Sequence, residues 1–196
     1  DGNGRAGSPN DIQCDNFYRD ILAVDTVSMM TSSGWKVTEI DYKSHQINEA
    51  SYLSVKDVYN QRVIVWHADD KSQTLLGDNI RELSEYLDEG GRLILVGWDI
   101  LGPFTSVDTA SFASGFVYRY LRIQGGLRDN GRNFVEFMGD TDLEYPASIT
   151  IDTEKMPGSW AGIDKTWTFT PRHRTEGLGT WHGGDDATEP MEGGIT

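Results

Sequence analysis

Four side chains that could do chemistry follow two apolar stretches of the sequence. His67, Asp69 and Asp70 come directly after one stretch, and Asp99 comes just after the other. If both stretches are strands of a parallel sheet, their carboxyl ends lie at the edge where such sheets bind ligands. Carboxylates and an imidazole at that edge could hold a hard cation or transfer protons to a substrate. An Asp after a strand also caps the following helix or loop, and that role is the more frequent one.

The turn after the second apolar stretch is where an α/β hydrolase carries its nucleophile, on a sharp connection from strand to helix. Trp98 or Asp99 stands at this point, and not Ser or Cys. An Asp nucleophile serves phosphoryl or glycosyl transfer together with a metal or a second carboxylate, and the sequence shows no further motif for either. The turn therefore argues against acyl transfer.

The single cysteine and the other histidines give no stronger sign of catalysis. Cys14 lies on the flank of an apolar-periodic stretch, with Asp15 beside it and no His near it in sequence. A buried or half-buried thiol is expected there rather than a nucleophile. His45, His173 and His182 lack metal-ligand spacing, so each is expected to be solvated or hydrogen-bonded.

Tryptophans form the other group of candidate ligand-binding residues. Trp98 follows the second apolar stretch, and Trp160, Trp167 and Trp181 lie in the loop-rich last part of the chain. Such rings can stack on sugars, although tryptophans under long loops more often fill gaps in the packing. The glycan-binding hypothesis requires at least two of the last three rings to be exposed in one groove.

Composition limits the classes of partner. The chain has 196 residues, 31 of them acidic and 17 basic, which gives a formal net charge of −14. The length predicts one domain with a core that needs no disulfide or structural metal. Nucleic acid and anionic membrane surfaces are not expected as partners of so acidic a chain. No apolar run has the length of a membrane helix, and one cysteine excludes an internal disulfide framework.

The elements that would position these residues follow from the apolar pattern. Residues 62–66 and Arg92–Gly97 are short, continuous apolar runs, as strands buried on both faces are. Between them, residues 76–87 carry apolar side chains at helical intervals, and Gly90 with Gly91 ends that helix. Strand, helix and strand in this order predict a layered α/β fold with a parallel core.

The flanking segments give further predictions. Apolar residues at helical intervals begin at Ile12 and fade near Met30, which predicts a first helix. Residues 35–40 alternate with period two and predict a strand. After the second core strand, a loop over residues 98–107 is expected to lead to a helix that carries Phe112, Phe116 and Tyr120.

The composition and the apolar pattern of the sequence change after Leu121. Glycine and charged residues become more frequent, and the apolar runs shorten to residues 134–137, 149–151 and 167–169. Turn signals separate these runs. This pattern predicts short strands and long loops at the edge of the sheet.

Residues 8–11, 63–70 and 87–100 together carry a resemblance to a known family. Their order is a strand, Asp69 and Asp70, a helix, a Gly-Gly pair, a second strand and a Gly-x-Asp turn. The chain resembles the class I glutamine-amidotransferase-like (flavodoxin-like) domain of secreted or surface-anchored bacterial proteins, sometimes found beside immune-inhibitor-A-type peptidases. Residues 145–160 resemble a segment of the same domains, so the similarity spans most of the chain.

The resemblance implies a three-layer flavodoxin-like sheet with a parallel core, and short extra strands and long loops in the C-terminal third. Residues 1–196 would form one amidotransferase-like domain, with an α/β core over 1–121 and loop-rich edge strands over 122–196. A first strand would precede Asp1 and a last strand would follow Thr196, so we expect a piece of a longer polypeptide. Trp98 or Asp99 stands where the amidotransferases carry their cysteine, so the resemblance implies a fold and a location rather than glutaminase activity.

These observations predict a non-catalytic structural or interaction module of a larger bacterial protein that is extracellular or on the cell surface. Its partners would be other domains of the same polypeptide or surface proteins, with no cofactor and no insertion into a membrane. One alternative is a metal-dependent or acid–base hydrolase using His67, Asp69, Asp70 and Asp99, in which the three carboxylates would bind calcium. The other alternative is a glycan-binding module.

Overall fold

The described residues of the computed structural model form a mixed α/β fold with small parallel and antiparallel sheets and no barrel. We number helices and strands in chain order. The structure describes residues 11–39, 55–68, 75–97, 99–129, 134–139, 148–150, 166–173, 177–183 and 191–195.

Helices are short, and most of them flank the two core strands. They are α1 (Asp11–Ile21), α2 (Val55–Tyr59), α3 (Leu75–Asp78), α4 (Ile80–Asp88) and α5 (Gly115–Arg119), with a 3-10 helix over Gly102–Phe104. Within the described part of the chain, none is long and apolar enough to cross a membrane.

Seven of the eleven strands among the described residues lie in the second half of the chain. They are β1 (Val24–Asp25), β2 (Met30–Thr31), β3 (Val63–Ala68), β4 (Arg92–Gly97), β5 (Thr109–Ser111), β6 (Ile123–Asp129), β7 (Phe134–Gly139), β8 (Ile149–Thr150), β9 (Thr166–Pro171), β10 (Gly177–Gly183) and β11 (Met191–Ile195).

The predicted parallel core is confirmed in β3 and β4. The two strands pair in parallel from Val63 opposite Arg92 to Ala68 opposite Gly97. Side chains alternate along each strand, so that Trp66 and its same-side neighbours face a core built with helix α4. The expectation that both faces are buried is wrong. Val65, Ile94 and Val96, on the other side, are 38, 52 and 40 % exposed.

Helix α4 fixes the start of β4 through one aromatic side chain. Tyr86 is buried, and its hydroxyl donates to the carbonyl of Arg92 (3.2 Å) and accepts from the Arg92 N–H (3.1 Å). Its ring lies where a Cβ of Gly91 would be, 2.2 Å from the nearest ring atom. The neighbouring Gly90 has a φ of +89°, as the predicted helix stop requires. The helix predicted over residues 76–87 is present, divided at Asn79 into α3 and α4.

The N-terminal predictions need two corrections. Helix α1 ends at Ile21, because Ala23 takes a φ of +49° and the chain enters the β1–β2 hairpin. The predicted strand over residues 35–40 is not a strand in its described part, 35–39. There, Trp35 and Val37 form backbone hydrogen bonds with the hairpin, and only Lys36 forms an isolated bridge, with Met30.

The predicted third helix is shorter than expected. Phe112 lies before it in extended chain, and its N–H donates to the carbonyl of Gln124 (2.8 Å). The helix begins only after that pairing, at Gly115, where a φ of +80° marks the change from extended to helical backbone. Tertiary pairing with β6 therefore overrides the apolar spacing of residues 112–120.

Short strands in the C-terminal third are confirmed, but their predicted place at the edge of the parallel sheet is wrong. They build two separate antiparallel sheets, one in the order β5-β6-β9 and the other in the order β11-β10-β7-β8. β11 lies close to β9. Among the described residues, no strand of either antiparallel sheet pairs with β3 or β4.

Two apolar clusters hold these parts together. One packs the inner face of β3 and β4 against α2, α4 and α5. The other joins the chain after β4 to β6 and β9, through Leu101, Val117, Ile123 and Trp167. This second cluster carries the residues that surround Asp99.

Candidate functional site

Asp99 lies just beyond the carboxyl end of β4, in a tightly built turn. It is 6 % exposed and has a φ of +47°, in the left-handed region that Asp tolerates better than most residues. The N–H of Gly102 donates to the Asp99 carbonyl (2.7 Å). A Cβ at Gly102 would lie 2.9 Å from Asp99 Oδ2, so a side chain at that position would displace the carboxylate.

Both carboxylate oxygens of Asp99 have protein partners. The indole Nε1 of Trp167 donates to Oδ1, and the guanidinium Nη1 of Arg128 donates to Oδ2 (3.1 Å). A buried carboxylate is stable when it is paired and hydrogen-bonded in this way. The site is therefore an internal ion pair that joins β4 to β6 and β9.

Arg128 connects Asp99 to a second carboxylate. Its side chain is 15 % exposed, and its Nε donates to Oδ1 of Asp108 (2.8 Å). The hydrogen bond to Asp108 and the negative charges of both carboxylates raise the pKa of Arg128, although desolvation opposes them. Its guanidinium also lies over the ring of Trp167, 5.4 Å from the centroid. We name Asp99, Asp108, Arg128 and Trp167 the Asp99 network.

Trp167 belongs to the interior of the molecule. It is 4 % exposed and packs with Leu101, Val117 and Ile123. A Cβ on Gly126 would lie 3.0 Å from its ring, so the neighbouring strand packs tightly against the indole. The gap-filling role applies to this residue, because an enclosed ring has no free face for a sugar.

The other tryptophans of the glycan-binding hypothesis fall outside what is described. Trp98 and Trp160 lie outside the described residues, and Trp181 is described only as part of the backbone of β10. Sugar stacking at these three positions stays a prediction.

His67 has different surroundings from those of Asp99. It is half-buried at the end of β3, and its ring meets the ring of Tyr18 from α1 edge-on, with centroids 5.4 Å apart. Asp69 and Asp70 lie outside the described residues. In the structure His67 therefore makes an aromatic contact, and Asp99 forms an ion pair. Convergence of these two residues with Asp69 and Asp70 stays a prediction.

No group of three or more His, Cys, Asp or Glu side chains that could hold a metal ion occurs among the described residues. The candidate calcium site would need Asp69 and Asp70 beside Asp99. It stays a prediction, as does the thiol state of Cys14, whose side chain is not described.

Two members of the Asp99 network were not predicted from the sequence. Arg128 and Asp108 stand 29 and 9 positions after Asp99, with no motif that marks them. The available signal was an arginine inside a strand that also holds glycines and apolar residues. An arginine in such a place needs a carboxylate partner.

The second candidate site is the exposed side of the parallel pair. Val65 lies opposite Ile94, and His67 lies opposite Val96. Arg92 is exposed and stands two residues before Ile94 in β4. Because side chains alternate along a strand, Arg92 lies on the same side as Ile94 and Val96. We name this side, with its three exposed apolar residues Val65, Ile94 and Val96, the open face. Exposed apolar patches of this kind mark interaction surfaces.

Comparisons with known proteins leave both sites without a family assignment. No family model matches the chain, and no curated protein or solved structure matches it either.

Proposed function

We propose that this chain is a non-catalytic interaction module of a larger bacterial protein that is secreted or displayed on the cell surface. The observation that carries the proposal is the pairing of Asp99. Its carboxylate is the only member of the candidate catalytic set that is both described and buried, and it bonds Trp167 and Arg128. A carboxylate engaged in this way stabilises the fold and is not free to bind a cation or a substrate.

The open face supports the interaction part of the proposal. Parallel sheets in single domains are covered on both faces, usually by helices. Here α4 covers one face, whereas Ile94 and Val96 on the other are about half exposed. A surface of that kind gains from a partner that removes it from water.

We extend the proposal to the architecture, in which β3 and β4 are the centre of a three-layer flavodoxin-like sheet. A strand, helix and strand unit with α4 on one face supports it. The contact of Tyr18 from α1 with His67, at one end of the other face, is a second observation that supports it. The family resemblance supports the secreted or surface location.

The hydrolase alternative would have to release Asp99 from the Asp99 network. Freeing the carboxylate would leave Arg128 and Trp167 with unpaired donors in a region that is largely buried. The cost of that rearrangement favours the non-catalytic role.

Thermal melting with calcium or zinc tests the proposal. A cation at a hundred times its dissociation constant would stabilise the folded chain by about 2.7 kcal/mol, a clear rise in melting temperature. We expect no rise with either ion. The matched control is the double variant Asp69→Asn with Asp70→Asn. A rise in the native chain that this variant abolishes would overturn the proposal in favour of a metal site at the strand ends.

A further inference from the structure

The open face is long enough for a short helix and is apolar along its centre. From Arg92 to Val96 a strand advances about 13 Å, which about nine residues of α-helix span. Ile94 is 52 % exposed at the middle of this length. The face is continuous, because the two strands pair without a bulge from Val63 to Ala68 and from Arg92 to Gly97. An amphipathic helix is the element that covers parallel strands in proteins.

The two ends of the open face have neighbours of opposite charge. At the carboxyl end, α1 reaches the face through Tyr18, which contacts His67. This helix contains three Asp and one Arg, and Arg19 is already paired with Glu39 and Asp15. At the amino end, Arg92 is exposed on the same side as Ile94. A helix of acidic composition thus stands at the carboxyl end of the open face, and an exposed arginine stands at its amino end.

This distribution of charge fits a helix in one direction. A helix carries a partial positive charge at its N-terminus and a partial negative charge at its C-terminus. Laid antiparallel to β3 and β4, such a helix places its N-terminus near the carboxylates of α1 and its C-terminus near Arg92. Lys or Arg in its first turns and Glu or Asp in its last turns would strengthen both contacts.

A second copy of this chain fits the face less well. Each copy brings a net charge of −14, so an isologous dimer gathers like charge around its interface. We therefore propose that the open face binds an amphipathic helix of a partner polypeptide, antiparallel to β3 and β4, basic in its first turns and acidic in its last turns. This inference rests on the proposed role as an interaction module.

Two helical peptides of identical composition test the inference. Both have about 14 residues, or about 21 Å of helix, with leucines along one stripe. One carries Lys in its first turns and Glu in its last turns, and the other has these charges exchanged. The exchanged peptide is the better helix on its own, because its charges suit its own dipole. Binding of each labelled peptide to the native chain is measured by fluorescence anisotropy at low salt.

We expect the first peptide to bind about tenfold more tightly than the exchanged peptide, a difference of about 1.4 kcal/mol. Ile94→Ser should weaken binding of the first peptide about tenfold, since it removes the exposed centre of the face. The matched control is Leu127→Ser, which changes a residue of similar exposure (49 %) on β6 and should leave binding unchanged. Arg92→Glu, which keeps the apolar centre, should abolish the preference between the peptides. Far-UV circular dichroism checks that each variant is folded.

Equal binding of the two peptides, or no binding of either, would overturn the inference. Equal loss in Ile94→Ser and Leu127→Ser would also overturn it, because binding would not be at the open face. A dimer in sedimentation that Ile94→Ser dissociates would assign the face to a second copy instead. The metal-melting experiment decides the proposed function separately, so a failure of the peptides with no cation effect refutes this inference alone.

Discussion

Asp99 shows how one residue type can support opposite conclusions until its neighbours are known. A carboxylate after a strand is a possible ligand for a cation, a helix cap or half of an ion pair. The structure gives it two donors, Arg128 and Trp167, and a turn in which Gly102 leaves space for the carboxylate. Those donors come 29 and 68 residues later in the chain. No local pattern around Asp99 could have named them, because the pairing depends on how the sheets fold together.

Arg128 gives the first test of the network at the scale of one residue. Arg128→Met is expected to lower the free energy of unfolding by about 3 kcal/mol, because Asp99 would keep a buried charge without its cation. Denaturant unfolding measures the change. The control is Arg81→Met, whose side chain is 77 % exposed beside Glu85, and it should cost less than about 0.5 kcal/mol. Similar losses in the two variants would contradict the internal ion pair.

Asp25 gives a test of pH dependence in the β1–β2 hairpin. Its carboxylate accepts the N–H groups of Ser28 (2.8 Å) and Val27 (2.9 Å), and these hydrogen bonds lower its pKa below the ordinary 3.8. These hydrogen bonds therefore stabilise the hairpin turn fully above pH 3.8. Their contribution is lost as the pH falls below 3.8 and passes through the lowered pKa of Asp25 in the folded chain. The chemical shifts of the Val27 and Ser28 amides follow this release by NMR.

The control for the hairpin test is Asp25→Asn, which keeps an acceptor but does not titrate. Its Val27 and Ser28 amides should not respond to pH in the acid range. An equal response in the variant would mean that another group controls the turn.

At the scale of elements, continuous apolar runs were the most reliable signal in the sequence. The strands at β3 and β4 and the helix between them were predicted, since their residues are apolar enough to decide the structure locally. The helix expected around Phe112 is shorter than predicted, because the Phe112 N–H donates to the carbonyl of Gln124 in β6. The alternating residues 35–40 predicted a strand, but the described part of this segment turns back onto the hairpin. Where the pattern is weak, hydrogen bonds from distant residues decide the outcome.

The junction between α4 and β4 gives a test at this scale. Gly91→Ala should lower the free energy of unfolding by about 1 to 3 kcal/mol, because its Cβ would collide with the ring of Tyr86. Gly77→Ala is the control, since a Cβ there meets Pro103 at an ordinary 3.5 Å inside a helix. It should be neutral or stabilise by up to about 1 kcal/mol. Thermal unfolding of both variants gives the comparison, and a stable Gly91→Ala would contradict the described packing of Tyr86.

At the scale of the whole molecule, the sequence predicted the α/β class and the short strands of the last third. It did not predict that those strands form their own antiparallel sheets, since strand partners depend on long-range register. It also missed the open face, because the apolar content of β3 and β4 is the same whether one side or both sides are covered. The exposed Ile94 and Val96 are therefore information that only the three-dimensional arrangement supplies.

The central claim is that Asp99 serves the fold, by joining the parallel pair to the β5-β6-β9 sheet, and not a ligand. The free energy of unfolding of Asp99→Asn tests it most directly, since Asn keeps the side-chain shape and also tolerates the left-handed backbone. We predict a loss of about 2 to 3 kcal/mol in denaturant unfolding, because Arg128 loses its buried partner. Unchanged or increased stability, as expected when a carboxylate is kept for catalysis or a metal, would contradict the account.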